Sequence, residues 1–203
     1  MMKIISRTFI FLLCVSLPLG AKSRLSEYFL GFGLFNAGGG DVTDLSGEGL
    51  SLSASSPASD SSDFALSFKY GNLEDNASKR SLWSLDLNYV LHFNDIHSAA
   101  ALFNPYAGLG VGYLNDASDM VLGDDGMSWT LLGGTEVAFT EFLSLDLGGS
   151  FFGLWKDFSH TDFSVGVGVT WWINATHGVA IDYDYTFNHE IDYLSLNYFY
   201  SWR

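Results

Sequence analysis

The stretch Trp83-Ser-Leu-Asp-Leu-Asn-Tyr-Val-Leu-His-Phe93 decides the fold. Its large apolar residues recur at every second position: Trp83, Leu85, Leu87, Tyr89, Leu91 and Phe93 share one face, and Ser84, Asp86, Asn88 and His92 share the other. A helix would mix the two sets around its circumference, whereas a strand sends successive side chains to opposite sides of a sheet. Eleven residues of such alternation also match the length a tilted strand needs to cross a hydrocarbon layer, about 9–11 residues.

The same period runs outward from there in both directions. Phe64, Leu66, Phe68 and Tyr70 stand against Ala65, Ser67, Lys69 and Gly71, and Val179, Ile181, Tyr183, Tyr185 and Phe187 stand against Ala180, Asp182, Asp184 and Thr186. Ten segments follow, over 28–36, 47–55, 63–71, 82–93, 104–114, 128–139, 142–152, 161–172, 177–187 and 191–202. The weakest is 47–55, whose outward face is only Leu50, Leu52 and Ala54. An eight-stranded alternative would need this segment and one more to fail. Links alternate in length: Thr140-Glu141 and 173–176 are short, while 37–46, 72–81, 115–127 and 153–160 are longer and rich in Gly, Asp, Asn and Ser. Short turns on one side and long loops on the other belong to an up-and-down barrel. Two links disagree with that scheme, 94–103 by being long and 188–190 by being short.

Before the first strand, Lys3 and Arg7 precede an apolar run from Thr8 to Leu19, too short to span a bilayer as a helix. This is the physics of an export signal, expected to cover residues 1–21 with cleavage after Ala21 and to leave a barrel domain over 22–203. Cys14, the one cysteine, falls inside that signal, so the expected mature chain has no thiol, disulfide or cysteine-bound metal. A net charge of −14 with nine Lys and Arg lacks the basic face that nucleic acid requires.

Alternation by itself also fits a secreted lipocalin-like binding barrel with its apolar face inward. The occupancy of the faces separates the two. Across the nine clearer strands the apolar face carries no Asp, Glu, Lys or Arg, an exclusion expected where lipid is the solvent, because a basic residue at mid-bilayer costs roughly 2–4 kcal/mol. The opposite face is Gly, Ser, Asn and Asp with Lys69 nearly its only base, the look of a crowded or wet interior. Aromatics sit toward strand ends, at Trp83, Phe93, Trp129, Phe139, Phe163 and Trp171, as interfacial girdles do.

Three stretches carry a family likeness: Tyr28-Phe-Leu-Gly-Phe-Gly33, Asn104-Pro-Tyr-Ala-Gly-Leu-Gly-Val-Gly-Tyr113 and Asp162-Phe-Ser-Val-Gly-Val-Gly-Val-Thr170. With them the chain resembles the small outer-membrane β-barrel domain family, which includes opacity-type and porin-like proteins. The resemblance implies an all-β, antiparallel transmembrane barrel in the outer membrane of a Gram-negative-type bacterium, surrounded by lipid and lipopolysaccharide. It further implies that Tyr198, Tyr200 and Trp202 resemble the terminal aromatic signal read by the barrel-assembly machinery, although Arg203 follows where the aromatic usually ends the chain. The family's common form has eight strands; the hairpin 177–202 makes this one ten-stranded.

Candidate site residues fall in three groups. The inward acids Asp86, Glu136, Asp146, Asp182 and Asp184 outnumber the inward bases Lys69 and Arg203; they define either a lumen that favours small cationic solutes or a hydrogen-bonded plug. Asp116, Asp119, Asp124 and Asp125 make an acidic external loop without calcium-loop spacing, so it reads as solvated and no metal or cofactor is expected. His160, Asp162, His189, Glu190, Asp192, Glu74 and Asp75 stand at rims, where a protease- or lipid-modifying hydrolase would place them, but the spacings do not form a recognisable catalytic set. The expectation is a barrel with a structural, surface-interaction or narrow-pore role and no catalysis, its extracellular partner unspecified.

Overall fold

A computed structural model describes residues 23–39, 46–74, 79–93, 103–116, 124–159 and 161–202, without the side chains of residues 79, 80 and 116. The expected export signal with Cys14, and also Asp75, Asp119, His160 and Arg203, lie outside the described residues.

Ten antiparallel strands close on themselves: β1 Tyr28–Gly39, β2 Ser46–Ser59, β3 Ser62–Glu74, β4 Lys79–His92, β5 Asn104–Asp116, β6 Gly126–Ala138, β7 Leu143–Leu154, β8 Thr161–Trp172, β9 His177–Thr186 and β10 Ile191–Trp202. Each strand pairs with its sequence neighbours, and β1 pairs with β10 over its full length, from Tyr28 opposite Trp202 to Gly39 opposite Ile191. The ladder therefore has no edge, the condition for a sheet in hydrocarbon, where no water can satisfy an open N–H or C=O. The eight-stranded alternative does not hold, and 47–55 is part of a full strand paired to β1 and β3.

The strands outrun their predicted ends, chiefly away from the termini. β3 continues through Leu73 and Glu74, β5 through Asp116, and β7 through Leu154, so part of what reads as loop in 72–81, 115–127 and 153–160 is wall. β2 extends toward the termini as well, to Ser59, with a register shift between Pro57 and Ser59. Proline has no N–H to give the ladder, and an irregularity is where a sheet accommodates it. The β2–β3 link then shrinks to Asp60-Ser61.

The apolar rows face outward all around the wall. Leu30, Phe32 and Leu34 on β1, Leu85, Leu87 and Leu91 on β4, Val165, Val167 and Val169 on β8, and Leu194 and Leu196 on β10 are all exposed. An aqueous lipocalin-like barrel needs these rows inside, so that alternative is not the fold. Aromatic contacts run along the rows between neighbouring strands, as in the stacked Trp83–Tyr113 pair at 5.3 Å and the Trp129–Phe151 pair at 5.2 Å. Replacing Leu87, in mid-strand on this face, with Arg is expected to cost roughly 2–4 kcal/mol, read as a lower midpoint of urea unfolding in lipid vesicles. Ser67→Arg, facing inward on the paired strand, serves as the comparison that carries no lipid penalty.

Candidate functional site

The candidate site is the lumen, and it has three levels. Its middle is polar. Asp146 on β7, Asp182 and Asp184 on β9 and Lys69 on β3 line a cavity of about 340 Å³. Asp86 and Asn88 on β4 line a second cavity of about 310 Å³, with Lys69 and Asp184 common to both. Hydrogen bonds link the walls: Tyr106 Oη donates to Asp146 Oδ1 at 3.1 Å, Asn197 Nδ2 to Asp182 Oδ2 at 2.6 Å, and Ser51 Oγ to Asn197 Oδ1 at 3.1 Å. The Lys69 ammonium lies 5.6 Å from the centre of the Tyr193 ring, within range of a cation–π attraction.

Glycine stands opposite most of the polar side chains on these walls and leaves them room. Asp182 and Asp184 pair in register with Gly168 and Gly166, Asp86 and Asn88 with Gly112 and Gly110, and Asn197 with Gly33. A Cβ on any of these glycines would overlap the facing carboxylate or amide oxygen. Each of these inward glycines is thus a seat for a neighbouring strand's side chain. Gly168→Val is expected to destabilise the barrel by about 1–3 kcal/mol through overpacking. Adding Asp182→Ala should recover part of that loss in a double-mutant cycle of urea midpoints, and a fully additive cycle would refute the pairing.

The loop end of the lumen is apolar, which the sequence reading missed. Phe35, Ala37, Leu73, Leu82, Leu114, Leu154 and Ile191 form one buried cluster, with Phe152 and Tyr193 packed against it. They are inward residues near the loop ends of β1, β3, β4, β5, β7 and β10. Leu73 and Leu154 are 0% exposed, and Phe35, Leu82 and Leu114 border the second cavity. We call this layer the collar. A signal for it existed in the parity of Leu73 and Leu154 with the inward sets of their strands, but it was hidden by ending those strands two residues early.

At the termini end, Glu136 is 2% exposed and serves as an anchor, not a free lumen charge. It accepts hydrogen bonds from Ser144 Oγ at 2.8 Å, from the Arg24 N–H at 3.2 Å, and from Ser23 Oγ. Arg24 enters the polar cavity from the segment before β1. It is the inward base that no strand-based reading could find.

The rim groups are distributed differently. Asp162 is fully buried: its Oδ1 accepts the N–H groups of Phe163 at 2.6 Å and Asn188 at 2.9 Å, and its Oδ2 pairs with His189 Nδ1 at 2.8 Å. This set ties the β9–β10 turn, where Glu190 has φ 52°, to the start of β8. In the acidic loop, Asp124 pairs with Lys156 at 2.6 Å across two exposed connections. Asp125 donates its N–H to Asp124, Asp116 is the last residue of β5, and among the described residues no three His, Cys, Asp or Glu side chains converge as metal ligands. Tyr198, Tyr200 and Trp202 all face outward on β10, with Tyr200 stacked on Trp202 at 6.0 Å and Trp202 on Tyr28 at 6.2 Å.

No family model matches this sequence, and no curated protein matches it. Among solved structures, an outer-membrane channel from Pseudomonas putida F1 is similar over 92% of this chain and 100% of its own, with a TM-score of 0.56 at 9% identity. The KdgM porin in complex with disordered oligogalacturonate is similar over 86% of this chain and 99% of its own, with a TM-score of 0.48 at 8% identity. Neisserial surface protein A is similar over 91% of this chain and 100% of its own, with a TM-score of 0.40 at 13% identity. Closed ladder, greasy exterior and polar bore together make this chain a ten-stranded transmembrane β-barrel of the outer-membrane type.

Proposed function

We propose that the chain is a non-catalytic barrel of the bacterial outer membrane whose resting state is closed to solutes. The observation that carries this reading is the collar, because a layer of leucine, isoleucine and phenylalanine packed across the bore excludes the water through which polar solutes move. We read the termini side as periplasmic and the collar as the outer mouth, because three of the four links on the termini side are two to four residues long. The exported and mature forms are those of the sequence reading: residues 1–21 leave, and 22–203 form the barrel. Tyr198, Tyr200 and Trp202 are offered to the assembly machinery, and lipid and lipopolysaccharide surround the apolar rows.

A second reading, a gated passage for small cations, is favoured by the chamber beneath the collar. It remains as open space lined by Asp146, Asp182 and Asp184 instead of being filled by larger side chains. In that reading the acids bias the solute and the collar is the gate.

The collar can be tested from outside the cell. A reporter, Ser150→Cys, lines both halves of the chamber, and Cys14→Ser removes the only other thiol in the sequence. A charged, membrane-impermeant thiol reagent added to cells carrying the barrel is expected to leave the reporter unmodified. Leu73→Ser with Leu154→Ser should admit the reagent; rapid modification without these changes would overturn the reading. Conductance steps in planar bilayers, absent from the unaltered barrel, would favour the gated passage if they appeared in the opened variant and lost cation preference on Asp146→Asn with Asp182→Asn.

A further inference from the structure

The termini end of the lumen is closed by chain that belongs to no strand. Ser23–Glu27 turns into the barrel, and its hydrogen bonds go to five different strands, one of them between Ser26 Oγ and His92 Nε2 on β4 at 3.5 Å. The Arg24 N–H donates to Glu136 on β6, and Asn104 Nδ2 on β5 donates to Ser23 Oγ at 3.2 Å. The Ser26 N–H donates to Asp63 Oδ2 on β3 at 2.9 Å, and Ser201 Oγ on β10 donates to Glu27 Oε2 at 2.9 Å. A segment tied to opposite walls crosses the bore; one tied to a single wall would line it.

Two of the anchors are buried carboxylates. Asp63 and Glu136 are each 2% exposed, and His92 Nε2 lies 3.1 Å from Asp63 Oδ2. Removing the segment would take away donors that both carboxylates use, and buried acceptors are costly to leave without donors. Ser26 has φ 63°, a left-handed conformation that is unfavourable for a residue with a Cβ. Its contacts therefore hold the turn in place. Beyond the turn, the Arg24 side chain reaches toward the chamber, its guanidinium carbon 5.4 Å from the centre of the Phe199 ring, and Asp182, Asp146 and Glu136 attract its charge. An arginine four residues ahead of the barrel wall could have stayed in water; here it is the counter-charge of the lumen.

We infer that Ser23–Glu27 is a latch that shuts the termini end of the lumen, with Arg24 as its tethered cation, so that the chamber exchanges solute on that side only when the latch leaves. The latch goes beyond the collar and does not depend on it, since the two close opposite mouths. Five residues held by a few hydrogen bonds can open locally while the ten-strand ladder stays intact.

The test uses the same Ser150→Cys reporter in the folded barrel purified in detergent, where a thiol reagent can approach either mouth. Modification is expected to be slow in the unaltered barrel and about tenfold or more faster after deletion of Ser23–Ser26. Asp63→Asn with Glu136→Gln, which keeps the segment but weakens its anchors, should raise the rate as well. Heat-modifiable migration identifies the folded form of each variant, and the substitution pair carries the test if the deletion does not fold. Trypsin gives a second reading: the Arg24–Leu25 bond should resist cleavage in the unaltered barrel relative to the bond after Lys156, which lies in an exposed loop, and lose that resistance in the substituted pair. Equal modification rates with and without the segment, or cleavage after Arg24 as fast as after Lys156 in the unaltered barrel, would overturn the latch. Fast modification in detergent with none from outside cells rejects the latch and spares the collar; fast modification from outside cells rejects the collar, and trypsin then still decides the latch.

Discussion

Inside hydrocarbon a sheet survives only if every backbone donor and acceptor has a partner in the sheet, and the pairing of β1 with β10 from Tyr28–Trp202 to Gly39–Ile191 meets that demand. Everything else in this molecule is arranged around the closed ladder. Closure sets the strand count, and the side-chain period of two then sends one residue to lipid for every residue sent to the bore. The lipid side accepts any bulky apolar residue. The bore side has a fixed, small volume, so its composition must solve a packing problem that the outer face does not have.

Glycine opposite a polar residue is the solution used in the middle of the bore. Gly166 and Gly168 on β8 face Asp184 and Asp182 on β9, and Gly110 and Gly112 on β5 face Asn88 and Asp86 on β4. Each carboxylate or amide lies against bare backbone, which keeps the wall thin and leaves the chamber open. Toward the loops the bore-side residues are apolar and buried, and near the termini Ser23–Glu27 is hydrogen-bonded to several strands. The polar chamber lies between these two levels, and in the proposed function they are what limits its exchange with solvent.

Much of this was legible in the residues. The alternation in 83–93 and its repeats settle strand character and which face is greasy, because side-chain direction in a strand follows from position alone. The inward placement of Asp86, Asp146, Asp182 and Asp184 follows from the same parity. Even the glycine seats have a trace in sequence, since Gly166 and Gly168 share the two-residue spacing of Asp182 and Asp184 across one hairpin. What was misread lay at the ends of strands. Leu73 and Leu154 lie beyond the length of a membrane crossing, where sequence alone reads as loop, yet paired strands continue past it as long as hydrogen-bond partners are present.

The sequence by itself therefore determined the architecture: an antiparallel barrel with a lipid-facing apolar side and an acidic polar side, since period and face occupancy are local properties. Only the tertiary structure decided which residues meet at the two ends of the bore. The collar joins residues from Phe35 to Ile191 and the latch joins Ser23 to Glu136, groups brought together by ring closure and by register. No local pattern encodes which inward side chains meet across an axis, because that depends on the strand order around the ring and the stagger between strands, which exist only once the wall has closed.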